Sequence, residues 1–146
     1  MELNKVKVVA LSIIVTIICI ALTITSFIMD GPATVYYVVI NLVYLIVWIF
    51  TTIFAIRTNS KKIKIYSIVF WSLTLLCFIV NAYVNITKNS ADWIIPLVIV
   101  FMTQWQGVGF FVHNYVHQDI IVSLISLTML TISTISLIKN RHSKLS

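Results

Sequence analysis

The chain has 146 residues, of which 60% are hydrophobic and only 10% charged, with a formal net charge of +6 and a mean hydropathy of +1.06. A soluble domain carries about 25% charged residues, so this composition excludes an ordinary soluble domain. It predicts an all-α, polytopic membrane helical bundle with lipid as the solvent for its apolar surface. The basic residues flank the apolar segments, where the positive-inside effect places them. The positive charge therefore points to the bilayer and its anionic headgroups, and no nucleic-acid partner is expected.

The charged residues all fall outside five windows, 8–29, 31–56, 65–87, 93–118 and 120–138. A helix needs about 20 residues to span the hydrocarbon core, and a charge at its centre costs roughly 2.5–3.5 kcal/mol on insertion scales. The windows predict five hydrophobic segments, at about 8–29, 33–56, 65–86, 93–113 and 120–138, in a single integral membrane domain over 1–146. They are helical because backbone groups in lipid must be paired within the segment. Lys5 and Lys7 before the first segment suggest a signal peptide, but the apolar run is longer than a signal core of about 7–15 residues and no A-x-A site follows. The first segment is read as a retained helix.

Asp30-Gly31-Pro32 forms a turn into the second segment, which opens on Tyr36-Tyr37, a pair suited to the membrane interface. Residues 57–64 are half basic and read as a cytoplasmic loop, which places the N-terminus on the cytoplasmic side. The third segment carries Trp71, Cys77 and Asn81. Asn85-Ile86-Thr87 matches a glycosylation sequon that abuts the membrane and carries little weight. The fourth segment starts at Trp93, with Pro96 in its first turn, where proline is tolerated. The fifth is rich in serine and threonine and is followed by a basic tail. Cys19 and Cys77 lie near segment centres, read as small apolar fillers at a depth where they can meet.

Hydrophobic length and charge bias disagree about the fourth segment. Five crossings leave six basic residues inside and four outside, whereas four crossings with both termini inside leave nine and one. Five crossings are the preferred reading, because all five windows have nearly the required length. In the alternative, the fourth segment is broken or re-entrant, interrupted at Gln104-Trp105-Gln106-Gly107-Val108-Gly109.

The polar stretch 104–119 also holds the candidate site. On a continuous helix Gln106, Gly109, His113 and His117 fall within about 80° of one another. The foremost reading is a packing seam against the hydroxyl-rich fifth segment. A polar pathway or ligand pocket comes next. A metal site is the weakest reading: His113 and His117 have the i, i+4 spacing that puts two imidazoles on one helical face, but two ligands do not make a site. Gln104, Asn41 and Asn81 complete the polar candidates, with Asn41 and Asn81 at similar depth and able to pair. Nothing calls for a cofactor, and no residue is assigned a catalytic role.

The expected function is that of a small, non-enzymatic membrane protein acting as an accessory, partner-binding or protective, immunity-like component, in contact with lipid, with a membrane-protein partner or with further copies of itself. The alternatives are a solute or ion pathway along the polar face of the fourth segment, and a membrane enzyme using His113 and His117. The excess of Ile, Lys and Asn over Ala, Gly and Arg resembles the coding bias of AT-rich genomes, and makes a bacterial plasma membrane the expected location.

Overall fold

Four charge-poor segments form long helices in the computed structural model, which describes residues 2–29, 31–88 and 92–142. They are α1 (Glu2–Ile28), α2 (Val35–Arg57), α3 (Lys61–Thr87) and, after a shorter α4, α5 (Tyr115–His142). Each of the four is long and apolar enough to cross a membrane. Residues such as Ile17, Val39, Ile46 and Leu124 are about half or more exposed on them, as expected of side chains that meet lipid.

The helices overrun the charge-free windows. α3 begins at Lys61 and α5 at Tyr115, because a charge marks the edge of the hydrocarbon and does not end a helix. The connector between α2 and α3 is therefore only residues 58–60, shorter than the loop expected over 57–64. Asn59 turns the chain there with φ 52°, in the left-handed region that asparagine tolerates. Lys64, assigned to that loop from its charge, is 1% exposed inside α3. Its Nζ donates to Asn59 Oδ1 and to the Ser136 carbonyl, each at 3.0 Å. The buried ammonium thus ties the connector, α3 and α5 together.

α3 and α5 pack antiparallel along their length. Lys64 meets Ser136 near one end, and Asn81 and Asn85 meet Asp119 near the other. That register puts Ser67 level with Ser133 and Thr74 level with Ser126, all four buried. Small residues at these levels let the two backbones approach. The hydroxyl face of the last helix therefore serves α3, and not the fourth segment as the sequence suggested.

The fourth apolar segment does not cross. A 3₁₀ turn at Asp92–Ile94 leads into α4 (Ile95–Met102), followed by a 3₁₀ helix over Thr103–Phe110. The segment leaves the end of α3 that carries Asn81 and Asn85, and it delivers the chain to α5 beside the same residues. A path that starts and finishes at one end of the bundle has to turn back. α4 descends until Phe101 packs against Phe70, with ring centroids 5.5 Å apart. The 3₁₀ arm then climbs along α2, passing Tyr44 at Trp105, Tyr37 at Gly107 and Ala33 at Gly109. The preferred expectation of five crossings is corrected to four helices of spanning length plus a re-entrant hairpin. One end of the bundle, the basic end, carries Lys5, Lys7, the Arg57–Lys62 region, Lys64 and Lys139. Among the described residues the far end carries one basic residue, Lys88. Lys144 lies outside the described residues.

An aromatic cluster fills the centre. Trp48 stacks on Phe70 at 3.5 Å and 12°, Tyr44 meets Trp105 edge-on at 5.6 Å, and Phe78 meets Trp105 at 6.2 Å. Trp48, Trp71 and Trp105 are at most 1% exposed. Cys19 and Cys77 are both buried and free, and no disulfide joins them.

Candidate functional site: a polar cavity at the far end of the bundle

A hairpin that turns inside the bilayer exposes backbone groups that a straight helix would pair, and in lipid each unpaired group costs several kcal/mol. The polar residues of the fourth segment meet that need. At the corner, Thr103 Oγ1 lies 2.8 Å from the Ile99 carbonyl and Gln104 Nε2 donates to the Val100 carbonyl at 2.9 Å, covering the end of α4. Gln104 Nε2 also reaches the Tyr44 hydroxyl at 3.2 Å. Asn41 Nδ2 donates to the Gln104 carbonyl at 3.1 Å, and Gln118 Nε2 to the Trp105 carbonyl at 3.3 Å. Gln106 Nε2 reaches over to Ser26 Oγ at 2.9 Å and the Gly31 carbonyl at 3.2 Å, fastening the return arm to the α1–α2 turn. Asn114 caps α5, its Oδ1 accepting from the backbone N–H of Val116 at 2.9 Å.

The hairpin props the far end of the bundle open around a cavity of about 580 Å³. Its polar wall is formed by Asn81 and Asn85 of α3, Gln106 of the return arm, and Gln118 and Asp119 of α5. Phe27, Phe78, Met102 and Phe110 supply much of the rest. The floor rests on the aromatic cluster, since Phe78 and Met102 are themselves members of that core.

Asp119 is the distinctive group. It is 2% exposed, and its carboxylate accepts from Asn81 Nδ2 at 3.1 Å on Oδ1 and 2.9 Å on Oδ2, and from Asn85 Nδ2 at 3.1 Å on Oδ2. The i, i+4 spacing of the two asparagines stacks them on one face of α3. Both donor groups are neutral amides, and Asp119 forms no ion pair among the described residues. Gln106 also lines the cavity, and its Oε1 is buried with no hydrogen-bond partner among the described residues.

The polar candidates named from sequence separate into three groups. Gln106, His113 and Asn81 line the cavity. Gln104 and Asn41 lie beneath the return arm and hold its backbone; Asn41 and Asn81 do not pair with each other, because each is committed elsewhere. His117 is exposed on the first turn of α5 and is not part of the cavity wall. The single stripe through Gln106, Gly109, His113 and His117 does not form, since the helix is interrupted between residues 110 and 115. Among the described residues no three His, Cys, Asp or Glu side chains converge as metal ligands.

Asp119, Asn85 and Gln118 were not singled out by sequence reasoning. Asp119 closed a charge-free window and so passed for a water-facing boundary, and Asn85 was seen only as part of a sequon. The usable signal was Asn81 and Asn85 one helical turn apart in a segment of otherwise spanning character. No protein-family model, curated protein or solved structure matches this chain.

Proposed function

We propose that the protein is a non-enzymatic integral membrane protein that works by binding, holding a ligand or a group of a membrane partner in the far-end cavity. The observation that carries this reading is the buried carboxylate of Asp119 on the wall of a cavity of about 580 Å³. That volume falls within the range of about 300–1,000 Å³ typical of small-molecule sites, and the mixture of apolar walls and a few convergent polar groups is typical too. A polar group inside a membrane bundle ordinarily faces the interior or a cavity and marks a functional site. The positive-inside rule adds an orientation: the basic end lies in the cytoplasm with both termini, and the cavity opens away from it. The composition is in keeping with a bacterial plasma membrane. An accessory or protective role would use the same cavity to engage a partner.

The alternative, a solute pathway, draws on the same hairpin. Its route inward from the far-end cavity is crossed by the aromatic cluster of Tyr44, Trp48, Phe70 and Trp105, so binding is the better supported reading.

Photo-crosslinking in the native membrane tests it. A benzophenone amino acid placed at Val112, on the cavity wall, is expected to give a discrete adduct by mass spectrometry. The same group at Ile46, 63% exposed on the lipid-facing surface, is expected to give only lipid adducts. Identical lipid adducts at both positions would overturn the binding role.

A further inference from the structure

We infer that the cavity takes an organic ammonium, a primary amine carried on an apolar body. The inference rests on the binding reading above and specifies its ligand. A carboxylate offers about four acceptor positions and no donor. The amide donors of Asn81 and Asn85 make three hydrogen bonds to Asp119, so acceptor capacity remains. Gln106 Oε1 is a second buried acceptor and has no partner among the described residues. Both groups call for donors, and a buried anion compensated only by neutral amides calls for a positive charge. A primary ammonium supplies three N–H donors and the charge together.

The rest of the wall selects the body of the ligand. Phe27, Phe78, Phe110 and Met102 offer aromatic and polarisable surface, which covers apolar carbon and attracts a cation through the ring faces. An anion would meet the exposed His113 but no lysine or arginine in the lining. A bare metal ion would leave most of the volume unused and would meet a single carboxylate.

The test uses the full chain, purified in a maltoside detergent, and three probes of one shape: 4-phenylbutylammonium, 4-phenylbutanol and 4-phenylbutyrate. Calorimetric titration is expected to give the ammonium at least tenfold tighter binding than the alcohol, with the carboxylate weakest. Asp119→Asn is expected to abolish the ammonium's advantage over the alcohol. Equal affinity of ammonium and alcohol for the unaltered protein would overturn the ammonium assignment and leave the cavity as a binding site. Failure of all three probes to bind would overturn both readings. Repeating the titration in nanodiscs of increasing phosphatidylethanolamine content identifies the source of the amine. Displacement of the probe points to a lipid headgroup, and undiminished affinity to a free amine.

Discussion

Trp105→Ala is expected to cost about 3 kcal/mol of stability, read as a lower midpoint for loss of helicity when the purified protein is titrated with a denaturing detergent. Trp105 is fully buried where the return arm passes the core, edge-on to Tyr44 at 5.6 Å and to Phe78 at 6.2 Å. Truncating a buried tryptophan removes those contacts and leaves a void that the neighbours fill only in part. Lipid tails are as apolar as the core, so in a membrane the penalty comes from lost packing rather than from transfer out of water. The indole N–H has no partner among the described residues, and its removal strands no acceptor there. Trp105→Phe, which keeps an aromatic ring between Tyr44 and Phe78, is expected to cost less than half as much. If alanine and phenylalanine proved equally harmless, the hairpin would not be anchored by this ring.

Gly107→Val is expected to displace the return arm and to cost about 2–3 kcal/mol, in line with overpacking of a filled core. A Cβ at Gly107 would overlap the Tyr37 carbonyl oxygen, and it would lie 2.7 Å from the carbonyl carbon and 2.8 Å from Val38 Cα. These are backbone atoms of α2, which cannot rotate aside as the end of a side chain can. Gly109→Ala is the control, since its Cβ would meet Ala33 Cβ and Gln118 Oε1 at 3.4 Å, close to ordinary contact. The expected result is a marked loss of thermal stability for Gly107→Val and a small one for Gly109→Ala. Equal tolerance of both would contradict the close passage of the return arm against α2.

These two positions show what could be read from the sequence and what could not. The four long helices were legible because hydrophobic length is a direct requirement of the bilayer. Charge bias also favours four crossings, which is the number of helices long and apolar enough to span. Window length points to five instead, because it cannot tell a segment that crosses from one that turns back. The residues that decide the matter, Gln104, Gln106, Gly107 and Gln118, were visible as a polar interruption. Their meaning depends on which carbonyls they reach, such as Val100 from Gln104 and Trp105 from Gln118. A periodicity argument assumes a continuous helix, and so it arranged Gln106 and the histidines into a stripe that the break abolishes.

The charged members of the site and of the core were lost for a related reason. Treating every charge as the boundary of a segment sends Asp119 and Lys64 into water by construction. In the fold both are buried within helices that extend past the apolar windows, and each bonds to groups distant in sequence: Asn81 and Asn85 for Asp119, and Ser136, beside the nearer Asn59, for Lys64. Partners 34 to 72 residues away leave no local signature.

Cysteine accessibility tests the central claim, that the fourth segment turns back within the membrane. In a Cys19→Ala, Cys77→Ala background, single Lys61→Cys, Lys88→Cys and His113→Cys variants are treated in sealed cells with a membrane-impermeant maleimide. All three positions are exposed. Lys88 and His113 flank the hairpin, and Lys61 marks the basic end. The account predicts that Lys88→Cys and His113→Cys are labelled from the same face and Lys61→Cys only from the opposite one. Labelling of Lys88→Cys and His113→Cys from opposite faces would show a fifth crossing and contradict it.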